Sequence, residues 1–145
     1  MNRIAFFMLS CTLVSCAHLS PLYWGWGEWV GPGAAGLESG ANAAFDWSSL
    51  PGVISSIDGT GVGAGYTCAR LVPGRHALAY AYQTADFGAH PQGLVEIELQ
   101  PGHSYEFNIR LCFWCTPRTY AVWVDDTTTG ELVWGRRPDW PFWYL

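Results

Sequence analysis

The clearest reactive spacing in the chain is Cys112-Phe113-Trp114-Cys115. Two thiols two residues apart serve disulfide oxidoreductases and form one half of many zinc sites. In the redox proteins the first Cys opens a helix, whose N-terminus lowers its pKa. Here the pair follows an alternating apolar run, and Thr116-Pro117-Arg118 leads into another. That context is a hairpin tip, which favours a structural bridge between Cys112 and Cys115. Cys68 joining either of them is the competing arrangement, and the leftover thiol is then buried or pairs between chains. A metal site would draw on His76, His90 or His103 as well. No second ligand pair stands at zinc spacing, so no metal is expected. Glu96 and Glu98 are one pleat apart with no matched partner, which reads as a charged solvent face rather than an acid–base pair. The glycines between Gly59 and Gly65 lack the Gly-Lys-Ser/Thr and the following helix of a phosphate loop. No nucleophile, base and oxyanion donors stand together, so neither catalytic residues nor a cofactor are expected.

A different sulfur chemistry sits at the N-terminus. Met1-Asn2-Arg3 is a short positive lead, Ile4 to Val14 is apolar, and Leu13-Val14-Ser15-Cys16 closes the segment. The apolar run is too short to span a bilayer as a stable helix and has the layout of a signal peptide. Its end resembles the lipobox of bacterial lipoproteins. That resemblance implies cleavage after Ser15 and acylation of Cys16, in preference to an ordinary secretory signal with an incidental Cys. Position 17 is Ala rather than Asp. In a Gram-negative host the family's sorting rule then implies the outer membrane, facing the periplasm. Several acyl chains would anchor the chain stably, where one would not.

Composition narrows the rest. The chain has 145 residues, enough for one domain with a core. Half of it is hydrophobic and 13% is charged, which argues against global disorder. Its net charge is −5, its positive side chains are all Arg and its acidic residues are scattered rather than in blocks, so no nucleic-acid partner, which would call for a clustered basic face, is expected. Residues 16–50 are dense in Gly, Ala and Ser and read as a lipidated N-terminus and flexible tether. Leu37 to Trp47 has at most a helical turn or two, weakened by Gly36 and Gly40. Trp24, Trp26 and Trp29 are unusual in a spacer; they suit a membrane interface, a fold-back onto the domain, or a sugar-stacking strip.

From Pro51 to Gly135 the pattern is β throughout. Strands are expected at Val53–Asp58, Tyr66–Val72, His76–Gln83, Leu94–Leu99, Tyr105–Leu111, Thr119–Val124 and Glu131–Trp134. Asp58-Gly59, Pro73-Gly74, Pro101-Gly102 and Asp125 to Gly130 mark turns, and Thr84–Gln92 is a loop. On the third strand His76, Leu78, Tyr80 and Tyr82 share a face opposite Ala77, Ala79 and Ala81. Val95, Ile97 and Leu99, then Tyr105, Phe107, Ile109 and Leu111, are further inward faces. About seven strands with short turns describe an all-β, single antiparallel sandwich.

Ile57-Asp58-Gly59 followed by Leu71-Val72-Pro73-Gly74-Arg75-His76-Ala77-Leu78 and Tyr80 is similar to the strand layout of PEGA-type and related transthyretin-like modules. It is similar also to small bacterial lipoproteins on the same plan. The resemblance spans Val53 to Leu111, without the Pro-Glu-Gly-Ala tetrapeptide. It implies an envelope-associated binding or structural domain with no catalytic residues.

Residues 136–145 form an aromatic tail with Pro138 and Pro141, expected to pack back onto the sandwich. The four segments are thus 1–15 signal, 16–50 tether, 51–135 sandwich and 136–145 tail. The expected role is a non-enzymatic, lipid-anchored envelope module that meets the membrane through Cys16 and a protein or glycan as partner. Trp24, Trp26, Trp29, Tyr80, Tyr82, Trp140 and Trp143 are the candidates for stacking on glycan, and Cys112 and Cys115 for a thiol or metal role.

Overall fold

The structure, a computed structural model, describes residues 27–37, 40–83 and 90–140. The signal peptide, Cys16, Trp24, Trp26 and Trp143 lie outside the described residues. The described chain is an all-β sandwich. Its strands are β1 (Gly27–Val30), β2 (Ala43–Asp46), β3 (Ile54–Ile57), β4 (Thr60–Gly61), β5 (Tyr66–Leu71), β6 (Gly74–Ala81), β7 (Gln92–Leu99), β8 (Ser104–Cys112), β9 (Thr119–Asp126) and β10 (Glu131–Gly135). One sheet has the order β1-β5-β2-β8-β9-β10 and the other β4-β3-β6-β7.

Alternation decides which side chains meet between the sheets. On β6 the buried positions are His76, Leu78 and Tyr80; on β7 they are Val95, Ile97 and Leu99; on β8 they begin with Tyr105 and Phe107. A strand side chain points to alternate faces, so these residues reach one common core. Tyr80 from one sheet lies against Phe107 from the other, ring centroids 5.3 Å apart. The Pro101-Gly102 turn closes as expected, with His103 N–H donating to Gln100 O and Gly102 at φ 72°.

Three expectations are corrected. The described part of the 16–50 tether is not a spacer: it carries β1 and β2, and β2 is interior to the larger sheet, between β5 and β8. Phe45 and Trp47 are fully buried, and Trp47 Nε1–H donates to Tyr66 O at 3.0 Å. Trp29 packs against the same core. The physical reason is that Phe45 and Trp47 are two residues apart and so face the same way, while Ala43 and Ala44 fit a crowded sheet interior. In place of the helical turn expected within Leu37–Trp47, the described residues 40–47 carry strand β2, and the one 3-10 turn among the described residues lies just before that range at Ala34–Gly36. Finally, there are ten strands rather than about seven. Two pairings, β1 with β5 and β2 with β8, are parallel in an otherwise antiparallel fold. The two tether strands and β4, a two-residue strand inside the glycine loop, account for the additional elements.

One hairpin outruns the core. On the core-facing side of β8 Phe107 is buried while Ile109 and Leu111 are half-buried, and on that of β9 burial falls from Val124 through Val122 to Tyr120; Cys112, on the other face of β8, is buried at its end. Register pairs Ile109 with Val122, Leu111 with Tyr120 and Cys112 with Thr119. The ribbon therefore keeps its pairing while projecting past the facing sheet.

Candidate functional site

Most residues singled out for chemistry are consumed by the fold. His76 is buried, with Nε2 donating to Val72 O at 2.7 Å and Nδ1 2.6 Å from Asp58 Oδ2. Both ring nitrogens face oxygen acceptors, so neither is left to ligate or to relay a proton. Asp58 Oδ1 also accepts from Ala77 N–H, which ties the end of β3 to β6. His103 repeats the device after the second Pro-Gly turn, with Nδ1 2.6 Å from Asp126 Oδ2. Asp126 Oδ1 accepts from Thr128 and Thr129 N–H. Burial alone pushes the Asp126 carboxyl up, but the bonds from His103, Thr129 and Thr128 outweigh it and hold it below the usual carboxylate range. Both arrangements are turn clamps. His90 lies exposed beside the start of β7.

The carboxylates behave likewise. Glu96 and Glu98 are exposed on the outer face of β7, and Glu96 pairs with Arg75 at 3.2 Å. On the outer face of the larger sheet, register sets Asp46, Glu106 and Asp125 side by side. Burial, then the Asp46 and Asp125 charges, raises the Glu106 carboxyl above its ordinary value, opposed by Asn108. Asp125 is held by Arg137 and by Trp123 Nε1–H at 2.9 Å, and Asp46 accepts from Ser48 N–H. Among the described residues no three His, Cys, Asp or Glu side chains come together as a metal site.

The stacking candidates do not form a strip. Tyr80 is 8% exposed and Tyr82 packs against the core, so the Tyr80/Tyr82 face is interior and is withdrawn as a ligand surface. Burial also pushes the Tyr80 hydroxyl up, with Tyr120 adding to it. Trp29 is half-buried. Trp140 is half-buried at the rim of a groove of about 310 Å3 between Thr119–Val122 and Arg136–Trp140, its Nε1 without a hydrogen-bond partner. There the first residues of the tail run along β9, with Arg136 N–H donating to Val122 O. Gly135 makes this approach possible: it sits at φ 78°, and a Cβ would lie 2.2 Å from Val122 O.

What remains is the hairpin tip. Cys112 and Cys115 are joined in a disulfide, and Cys68 is buried, 2% exposed, as a free thiol. The bridge takes up both sulfurs of the Cys-x-x-Cys pair and closes the loop at the end of the projecting ribbon. Phe113 and Trp114, the residues it encloses, are 50% and 55% exposed. Trp114 is the one exposed Trp among the described residues; Trp47 and Trp123 are buried, and Trp29, Trp134 and Trp140 are half-buried. Tyr120 adds a third outward ring beside the tip. In the sequence, Phe113 and Trp114 read only as the spacing between two thiols. The available signal was that two aromatics in a loop pinned by its own cysteines have no route back to a core. Such a tip can press rings against a partner at little cost in ordering the backbone.

No family model matches the chain, no curated protein matches it in sequence, and no solved structure matches its fold.

Proposed function

We propose that the chain is a non-enzymatic protein of the cell envelope, anchored by lipid on Cys16, whose β-sandwich is a structural and binding module. One observation carries the binding role: Phe113 and Trp114, 50% and 55% exposed, are held outward on a covalently closed tip, where the other Trp and Phe side chains among the described residues are buried or half-buried. The anchoring role draws on Leu13-Val14-Ser15-Cys16 behind its apolar segment, and an outer-membrane position on Ala17. The absorption of the His, Asp and Glu clusters into turn clamps and ion pairs supports a non-catalytic reading. A glycan-binding module remains a second reading, favoured by the exposed ring of Trp114 rather than by the Tyr80/Tyr82 face.

Labelled palmitate tests the anchor. Wild type incorporates it and Cys16→Ala does not; equal labelling of the two refutes acylation at that residue. Cross-linking in intact envelopes followed by pull-down tests the module: a partner recovered with wild type is lost with Phe113→Ser/Trp114→Ser.

A further inference from the structure

We infer that the Cys112–Cys115 tip is a second membrane contact, seating Trp114 and Phe113 in the interface of an anionic lipid surface. The inference deepens the proposed function and rests on its reading of an envelope protein held at a bilayer.

Three independent features point to lipid. The first is charge. The segment Ile109–Val124 contains Arg110 and Arg118 and no Asp or Glu, within a chain of net charge −5. The acidic residues of the hairpin, Glu106, Asp125 and Asp126, are all at its far end. Exposed aromatics flanked by Arg suit a headgroup layer, where indoles are favoured and cations meet anionic lipid.

The second is direction. Gly27 pairs with Tyr66, β5 is antiparallel to β2, and β2 is parallel to β8. The chain therefore comes into the larger sheet at the end toward which the hairpin projects, about level with Asn108. Strand residues Ile109–Cys112 carry the tip about 13 Å beyond that level. Ten residues lie between Cys16 and Gly27, a reach of up to about 40 Å over the connecting backbone when extended. An acylated Cys16 and the tip can thus meet one bilayer together.

The third is shape and chemistry. The tip is the closed end of a hairpin with Phe113 and Trp114 half or more exposed, whereas small-molecule sites are concave with a few convergent polar groups. Sugar hydroxyls are commonly bonded by carboxylate and amide side chains, and Ile109–Val124 contains no Asp, Glu, Asn or Gln. These observations favour a lipid surface over a glycan.

The test uses the full chain carrying Cys16→Ala, with and without Trp114→Phe, so that the difference in emission belongs to Trp114. Vesicles of phosphatidylethanolamine and phosphatidylglycerol are prepared with ordinary or brominated acyl chains. The expected result is loss of the Trp114 emission on brominated vesicles, smaller when phosphatidylglycerol is omitted. An unchanged difference spectrum overturns the inference, as does a Trp114 response to peptidoglycan fragments with none to vesicles. A signal equally strong without phosphatidylglycerol overturns the part assigned to the arginines. Palmitate labelling of wild type reports the anchor separately: a labelled chain with an unquenched Trp114 sinks this inference alone, and a quenched Trp114 in an unlabelled chain sinks only the anchor.

Discussion

The sandwich body and the projecting hairpin are made of the same alternating strands but end in opposite ways. In the body, each Leu-x-Pro-Gly segment, a bend at Pro73 that leads straight into β6 rather than the expected turn and a closed turn at Pro101-Gly102, is followed by a His whose ring bonds to an Asp at the end of a neighbouring strand: His76 to Asp58, and His103 to Asp126. Side chains there satisfy one another, and the apolar rings between the sheets are buried. At the tip the chain is closed by a covalent bond instead, and rings enclosed by it face outward. Polar clamps use up the groups that could have acted on a ligand. The disulfide closes the loop without burying the two rings it encloses, which stay half or more exposed, so the functional surface is sought where the closure is covalent.

Substitutions can break that contrast, and the largest effect belongs to the body. Trp47→Ala removes a fully buried ring and its bond to Tyr66 O, so urea unfolding is expected to show a loss of about 3–5 kcal/mol. A loss below about 0.5 kcal/mol, as for surface sites, would return residues 43–47 to a tether. Next is Asp126→Asn, which weakens the charged acceptor of the second clamp and is expected to cost about 2 kcal/mol at neutral pH. Because the native Asp126 carboxyl lies below its unfolded value, its stabilisation is full above the unfolded pKa and is lost as pH falls through the native one. Wild type and Asp126→Asn should therefore converge in stability in strong acid; a gap that persists there contradicts the ionic part of the clamp.

The tip sharpens the comparison with smaller numbers. Cys112→Ser/Cys115→Ser opens a four-residue loop, for which chain entropy gives a loss of about 2 kcal/mol at most. The more telling readout is exchange of the Phe113 and Trp114 amides, which should quicken while those of β6 and β7 stay protected. Glu106→Gln relieves a carboxylate between Asp46 and Asp125 and is expected to stabilise by about 0.5 kcal/mol at neutral pH. Its native pKa is raised, so the cost of its charge grows as pH rises through that value; below the unfolded pKa the gain should vanish. Smallest of all, Phe113→Ser/Trp114→Ser should change thermal stability by no more than about 0.5 kcal/mol. A larger loss would mean that the two rings are packed, not displayed.

Much of the body was legible because period-2 alternation and turn residues report the same thing. Strands β3 and β5 to β10 follow from them, with His76, Leu78 and Tyr80 facing inward as read. β1 and β2 were hidden by composition. Their Gly and Ala content reads as spacer, while the pairing that holds them comes from β5 and β8, distant in sequence. Phe45 and Trp47 carried the overlooked signal, two large rings on one face of a strand. The Cys112–Cys115 bridge was readable from the hairpin around it; that Cys68 stays apart follows from the three-dimensional arrangement. Phe113 and Trp114 went unread because exposure depends on how far β8 and β9 outrun the opposite sheet, which local pattern does not encode.

The central claim is that the tip, and not the clamped turns, is where the protein meets its partner. A photoreactive side chain placed at Trp114, and separately at Thr129 on the opposite end of the larger sheet, tests it in intact envelopes. Cross-linked product from position 114 and none from position 129 is the expected outcome. Product from position 129 alone, or none from either, would contradict it.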